Sequence, residues 1–356
     1  MEPPDREPHR ILIIRPSALG DVCRSVPVLA ALRARWPRAT IDWLVQDAFA
    51  PAVAAHPALS EVVTFPRRDL SPLARPDKLA ASLQWGNGLR RRRYDLVIDC
   101  QGLIRSGLMT AATAAPVRVG AADAREMAHL AYTRRVPAAV DQHAVDKMLA
   151  LAQAAIDTYG AAEPIAAPDM RLYTTAESRK MADDLLAGGG GGPLVVLAPT
   201  SRWPAKQWPD ERFTELAKGL LDRTDASIAV VGGPGERGQC ERTCALGDGN
   251  SRVIDLVART GIGELMAVVQ RSALVVANDS AVLHMAVGFD RPLVALFGPT
   301  LTNLVGPYRR DGDVIQHERP DHASAHKHAA NAGMMRAIAV DEVMEAAIRR
   351  LTRAAG

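Results

Sequence analysis

The sequence is poor in several features that mark particular classes of protein. Aromatic residues make up only 4% of its 356 residues, which weighs against the stacking surfaces that bind single-stranded nucleic acid. No apolar run reaches the ~18 residues that a membrane-spanning helix needs. Residues 1–10 are polar and contain two adjacent prolines, without the apolar stretch of a signal peptide. We therefore expect a cytoplasmic protein.

The chain also has few cysteines and a small net charge. None of the four cysteines (Cys23, Cys100, Cys240 and Cys244) forms a CxxC pair. We therefore expect buried thiols in a reducing compartment and no metal site. The net charge is only +3, which predicts no nucleic-acid partner. Ordinary solvated lysines and arginines explain this excess at least as well as a groove for an anionic substrate.

Short apolar runs alternate with helical patterns along the chain, as in repeated βαβ units. The first series of runs is 11–14, 41–45, 62–65 and 96–99, and the second is 193–197, 227–231, 253–256, 273–277 and 293–297. Five consecutive glycines at 188–192 precede the second series and exclude helix and strand there. We predict two Rossmann-like domains, at 1–170 and 171–338, that face each other across a ligand cleft. Residues 339–356 are predicted to form an amphipathic helix that can pack back toward the first domain.

The loop after the first run reads Arg15-Pro16-Ser17-Ala18-Leu19-Gly20-Asp21. A glycine and small residues at a strand-to-helix turn allow a ligand to approach the backbone and the helix N-terminus. The turn is not GxGxxG, so a nicotinamide-dependent oxidoreductase is disfavoured. For Asp21, a functional carboxylate and an ordinary helix N-cap remain equally good interpretations.

The loop after the first run of the second series contains Thr200, Ser201 and Lys206. Hydroxyl groups and a lysine on such a loop are suitable donors for a diphosphate. Trp208 and Pro209 resemble the entry to the next helix, so we assign Trp208 a structural role. A surface loop with packed tryptophans is the alternative.

Two further loops of the second series suit a nucleotide. Asn278-Asp279-Ser280 precedes a predicted helix, whose N-terminal amides can bind phosphate, although Asp279 and Ser280 also suit plain N-caps. Glu236, in a glycine-rich turn, is a candidate for ribose hydroxyls, or a solvated loop residue.

Taken together these segments resemble the ADP-heptose lipopolysaccharide heptosyltransferases of glycosyltransferase family nine. The similarity rests on 17–21, 99–103, 203–209, 279–284 and 297–300, in the same order along the chain. It implies a GT-B fold and metal-independent, cofactor-free, inverting transfer of L-glycero-D-manno-heptose from ADP-heptose to a Kdo-containing inner-core glycolipid. It also implies that Asp21 is the general base.

The resemblance further implies two sets of binding residues. The donor set is Thr200, Ser201, Lys206, Glu236, Asp279, Ser280, Ala281, Val282 and His284. The acceptor set is Ser17, Gly20, Arg67, Arg68, Gln101, Arg105, Arg125 and His143, with generic surface charge as the alternative for the arginines. We expect a monomer whose contact with the inner membrane is peripheral and electrostatic.

The sequence departs from the family pattern at three places. Ala281 stands where the family usually has glycine, and an alanine would cost ~1 kcal/mol if that position required a positive φ. The stretch 317–335 has no cysteine but contains His322, His326 and His328, which we interpret as part of a polar loop, with a zinc site as the alternative. Arg15-Pro16 replaces a lysine-threonine type of pair. Transfer to another acceptor, and nucleotide-sugar binding without turnover, therefore stay open as alternatives.

Overall fold

The structure is a computed structural model that describes residues 7–66, 76–160, 163–322, 327 and 329–355. The chain divides into two compact units, with the boundary between Tyr173 and Thr174. Arg67 and Arg68, predicted to bind the acceptor, lie outside the described residues, as do His326 and His328.

The first unit is a parallel six-stranded sheet with the strand order β3-β2-β1-β4-β5-β6. Its order of 3-2-1-4-5-6 is that of a Rossmann sheet. The strands are β1 (Arg10–Ile14), β2 (Thr40–Gln46), β3 (Glu61–Phe65), β4 (Leu96–Asp99), β5 (Val117–Ala121) and β6 (Arg134–Val136). The helices are α1 (Leu19–Arg24), α2 (Val26–Arg35), α3 (Pro51–Ala54), α4 (Pro76–Arg91), α5 (Ile104–Ala112) and α6 (Ala144–Thr158).

The second unit repeats this topology, with the parallel order β12-β11-β10-β7-β8-β9. The strands are β7 (Leu194–Ala198), β8 (Ser227–Val230), β9 (Val253–Asp255), β10 (Leu274–Asn278), β11 (Leu293–Leu296) and β12 (Val314–Ile315). The helices are α7 (Ala176–Leu186), α8 (Asp210–Arg223), α9 (Glu241–Cys244), α10 (Ile262–Arg271), α11 (Ala281–Gly288), α12 (Thr302–Val305), α13 (Gly333–Ala337) and α14 (Val340–Ala355).

The central strands are apolar except at their ends, because helices cover both faces of each sheet. In β1 the side chains from Ile11 to Ile14 are fully buried, and all five residues of β10 are buried. The predicted apolar runs are therefore confirmed as strands. The last helix, α14, packs against α8, β10 and β11 in the core of the second unit. In the described part of the chain, no helix combines the length and apolar character that crossing a bilayer requires.

The glycine run at 188–192 is irregular, as predicted, and part of it is tightly packed. A Cβ atom at Gly192 would lie 1.9 Å from the backbone carbonyl oxygen of Asp225, whereas a Cβ at Gly191 would have no heavy atom within 4 Å. The run therefore serves close backbone packing before β7 as well as chain flexibility.

This difference predicts unequal effects of two neighbouring substitutions. Gly192→Ala should lower the free energy of unfolding by about 1–3 kcal/mol, because the added methyl group forces the backbone near Asp225 to move. Gly191→Ala, the matched control, should change it by less than about 1 kcal/mol. Urea-induced unfolding of both variants measures the difference, and equal midpoints would contradict the packing described.

Candidate active site

The candidate residues lie on loops and helix starts that follow the strands of each sheet. Because parallel strands all point the same way, these loops leave at one edge of the sheet, the edge where α/β proteins bind ligands. In the first unit the loops follow β1 and β4, and in the second they follow β7, β8, β10 and β11.

Asp21 lies in the first turn of α1 and is held between two arginines. The Arg15 guanidinium is 2.9 Å from its Oδ2, and Arg24 forms an ion pair with Oδ1. Arg15 also donates a hydrogen bond to the carbonyl oxygen of Cys100, after β4. Neither arginine was predicted as a partner of Asp21. Two adjacent guanidinium groups therefore hold this carboxylate by charge-assisted contacts.

The loop after β4 is built around Asp99, which is almost fully buried. Its Oδ1 accepts hydrogen bonds from the backbone N–H groups of Gln101 (2.8 Å) and Gly102 (3.1 Å), and its Oδ2 accepts one from the Tyr132 hydroxyl (2.7 Å). Burial raises the pKa of the Asp99 carboxyl, and these hydrogen bonds oppose that rise. The Tyr132 ring occupies the space where a Cβ of Gly120 would stand, 2.3 Å from the nearest ring atom. Asp99 therefore fixes the turn that presents Gln101.

Gln101 connects the two loops of the first unit. Its Oε1 accepts a hydrogen bond from the backbone N–H of Ser17 at 3.3 Å. Gly20 lies within α1, which begins at Leu19, so the helix starts inside the segment 15–21 that was predicted as a loop. The structure thus brings Ser17, Gly20, Asp21 and Gln101 together.

The other described candidates of the first unit are Arg105, Arg125 and His143. Arg105 and Arg125 are exposed, and the Arg105 guanidinium lies 5.8 Å from the centre of the Phe65 ring. His143 is the N-cap of α6, where its Nδ1 accepts a hydrogen bond from the backbone N–H of Val145 at 3.1 Å. This nitrogen of His143 therefore has a structural partner.

In the second unit, Lys206 and Asp279 form a largely buried ion pair. The Lys206 ammonium is 2.5 Å from Asp279 Oδ2, and the side chains are only 13% and 11% exposed. The same oxygen accepts a hydrogen bond from the Thr300 hydroxyl at 2.8 Å. The pair joins the loops after β7, β10 and β11 and positions a cation at this edge of the sheet. Thr300 was part of a recognised segment but was not among the predicted binding residues.

The start of α11 lies two residues after Asp279 and has the features of an anion site. Ser280 is the N-cap, but its side chain makes no capping hydrogen bond, and its buried Oγ has no hydrogen-bond partner. Ala281 is the first helical residue, and its φ is not positive. An alanine at this position therefore causes no backbone strain, and the amides of the first turn are not occupied by the N-cap side chain.

Of the remaining donor candidates, Ser201 contacts this group directly. Ser201 is buried, its N–H donates to Gln239 Oε1 (3.0 Å) and its hydroxyl donates to the carbonyl oxygen of Asp279 (3.2 Å). Thr200 is buried beside Gly232. Glu236 accepts a hydrogen bond from the N–H of Gly233 at 2.7 Å, which closes its own turn. Val282 and His284 are buried in α11.

A buried amide braces the Lys206 loop. Asn278, at the end of β10, accepts a hydrogen bond from the N–H of Trp208 (3.2 Å) and donates one to the carbonyl oxygen of Pro199 (2.6 Å). The Trp208 indole is buried and donates to the carbonyl oxygen of Ile338 at 3.0 Å. The structural role predicted for Trp208 is confirmed.

Comparison with known proteins gives the family. The model for Glycosyltransferase family 9 (heptosyltransferase) matches residues 83–334. The chain belongs to this family. It is 30% identical over 305 residues to lipopolysaccharide heptosyltransferase 1 of Pseudomonas aeruginosa, which covers 85% of this chain and 82% of the relative. Identity to lipopolysaccharide heptosyltransferase 1 of Escherichia coli K12 is 28% over 315 residues, or 87% of this chain and 94% of the relative.

Solved structures agree with this assignment. E. coli heptosyltransferase WaaC with ADP-2-deoxy-2-fluoro heptose superposes with a TM-score of 0.72 and 25% identity, over 94% of this chain and 98% of that one. E. coli ADP-heptose lipopolysaccharide heptosyltransferase II gives a TM-score of 0.80 at 21% identity, over 98% of this chain and 100% of that one. The predicted two-domain GT-B fold, the family and the glycosyltransferase class are confirmed.

The ion pair predicts strong coupling between its partners. Asp279→Ala should lower the free energy of unfolding by about 2 kcal/mol, because it leaves the largely buried Lys206 ammonium without its carboxylate. The double variant with Lys206→Met should lose less than the sum of the single losses, by about 1–2 kcal/mol. Urea unfolding measures this cycle.

The exposed Lys180–Asp184 pair is the matched control. Its side chains are 78% and 68% exposed, so Asp184→Ala should cost less than about 0.5 kcal/mol. Strictly additive losses at Lys206 and Asp279 would show that the two side chains do not stabilise each other.

Proposed function

We propose that this chain transfers L-glycero-D-manno-heptose from ADP-heptose to a Kdo-containing glycolipid of the lipopolysaccharide inner core, with inversion and with Asp21 as the general base. The observation that carries the proposal is the group formed by Lys206, Asp279 and the uncapped start of α11. These features suit the diphosphate of a nucleotide-sugar. Relatives named as lipopolysaccharide heptosyltransferases, and a similar structure containing an ADP-heptose analogue, support the choice of donor and acceptor class.

The donor half of the reaction needs a stabilised leaving group. When the bond between the anomeric carbon and the diphosphate oxygen breaks, that oxygen keeps the electron pair, and negative charge grows on ADP. The Lys206 ammonium and the first-turn amides of α11 would stabilise that charge. Asp279 holds the ammonium in place through its 2.5 Å contact, so no reorganisation is needed as the charge develops.

The acceptor half needs a base. A hydroxyl oxygen of the acceptor attacks the anomeric carbon from the face opposite the diphosphate, and its proton passes to the Asp21 carboxylate. One displacement inverts the configuration, so no carboxylate nucleophile is required. The contacts of Arg15 and Arg24 orient the carboxylate before the acceptor arrives.

Nucleotide-sugar binding without turnover was suggested by Ala281, where relatives usually have glycine. The ordinary helical backbone at this residue removes that reason. Transfer to a different acceptor remains the second candidate, because Arg105 and Arg125 are exposed and make no side-chain hydrogen bond in the described part of the chain that would define an acceptor.

Asp21→Asn tests the base. The variant should keep its affinity for ADP-heptose but lose transfer to Kdo-lipid A by at least about 100-fold, because the amide cannot take the proton. Asp47→Asn, at an exposed acid of the same unit, should transfer normally. ADP release and glycolipid mass measure the outcome. Full activity of Asp21→Asn would refute the assignment of the base, and turnover only on another acceptor would refute the glycolipid.

Lys206→Met tests the diphosphate site. Removing the ammonium should weaken ADP binding by about 10- to 100-fold, the effect of losing a charge-assisted contact of about 1.5–3 kcal/mol. Lys218→Met, which removes an exposed lysine on α8, is the matched control and should bind ADP normally. Titration calorimetry measures both, and unchanged binding by Lys206→Met would exclude the proposed contact.

A further inference from the structure

Large apolar side chains are exposed together on one part of the first unit. Among the described residues seven such side chains are exposed, and four of them belong to α5 and the short turn Ala128–Ala131 with its preceding residue. They are Ile104 (51% exposed), Leu108 (57%), Met127 (62%) and Leu130 (60%). Single exposed apolar residues are ordinary, whereas a contiguous group marks an interaction surface.

Backbone contacts hold these four side chains in a fixed arrangement. A Cβ at Gly107 would lie 3.0 Å from Cα of Ala128, so α5 and the turn touch at their backbones. The N–H of Ile104 donates to Glu126 Oε2 at 3.1 Å, which ties the start of α5 to the segment before the turn. The pairs on α5 and on the turn therefore lie side by side and form what we call the α5 face.

Exposed arginines flank the α5 face in the sequence. Between residues 102 and 137 there are five arginines and two acidic residues. Arg105, next to Ile104, and Arg125, two residues before Met127, are both exposed. Apolar side chains flanked by arginines are the composition of a surface that enters the headgroup region of an anionic bilayer.

The α5 face also lies next to the candidate acceptor loop. Helix α5 begins two residues after Gly102, in the turn that Asp99 holds, at the carboxyl end of β4. If the acceptor is a glycolipid, its sugar must be reached while its acyl chains stay in the membrane. A docking surface beside the loop that carries Gln101 meets this geometric need.

We propose that the α5 face docks on an anionic lipid bilayer and so brings the acceptor loop to a membrane-embedded glycolipid. This inference rests on the proposed function for the identity of the acceptor. The apolar side chains add a hydrophobic contribution to the purely electrostatic membrane contact that the sequence suggested. A second copy of the chain or a protein partner on the same face would be a different outcome of the test.

The test uses the full chain with vesicles of phosphatidylglycerol and phosphatidylethanolamine, and with vesicles of phosphatidylcholine alone. The unaltered protein should sediment with the anionic vesicles and not with the neutral ones. The double variant Ile104→Ser, Leu108→Ser should bind the anionic vesicles at least 10-fold more weakly, because two exposed apolar side chains no longer enter the interface. Val140→Ser, at a residue that is 88% exposed in the same unit, is the control and should bind normally.

Activity then separates this inference from the proposed function. The double variant should transfer heptose normally to a detergent-dispersed acceptor and at least 10-fold more slowly to the same acceptor in vesicles. Vesicle binding is measured without the sugar donor and therefore does not depend on heptose transfer. A protein that binds the vesicles but transfers no heptose would refute the proposed function and leave the docking surface intact. Equal vesicle binding by the double variant and the unaltered protein would overturn the docking surface. The docking surface would also be overturned if the unaltered protein were a dimer in solution and the double variant a monomer.

Discussion

The parallel pairing of the strands is the constraint on which the rest of the molecule depends. In a parallel sheet each strand must be followed by a crossover, so every loop that leaves the carboxyl end of a strand appears at the same edge. In this chain the central strands are covered on both faces and carry only apolar side chains, except at their ends. Polar chemistry is therefore confined to the strand ends. Asp21, Gln101, Lys206 and Asp279 all belong to such positions in one or the other unit.

At these edges the functional candidates are already bound to one another. Asp21 forms ion pairs with two arginines, and Lys206 forms one with Asp279. Gln101 lies in a turn that hydrogen bonds to the buried Asp99 hold in place. A charged group held by a partner does not have to be reoriented when a substrate arrives, which is the physical meaning of preorganisation. The same ion pairs restrict the chemistry of Asp21, because a carboxylate that binds two guanidinium groups must keep an accessible lone pair to act as a base.

The sequence was a good guide wherever a single strand or helix carried the information. Continuous apolar runs predicted the central strands because burial on both faces demands them. Three strands were missed. β5 contains an arginine and a glycine, β6 carries two exposed arginines and β12 has only two residues, so none of them produces a continuous apolar run. The positions of Lys206 and Asp279 were expected from the family pattern, but their contact was not, because 73 residues separate them in the chain. The doubt over Ala281 depended on one backbone angle, which no residue type specifies alone.

The contact between Gly120 and Tyr132 has a consequence for how this sequence can diverge. The tyrosine ring fills the space above the glycine while its hydroxyl holds Asp99. Any side chain at position 120 would displace the ring, and any smaller residue at 132 would leave a void and would remove the hydroxyl that donates to Asp99 Oδ2. Relatives that keep this turn should therefore change the two positions together or not at all. Neither residue is a proposed substrate contact. The pattern of joint substitution at positions 120 and 132 would therefore show whether the Asp99 turn is still under selection.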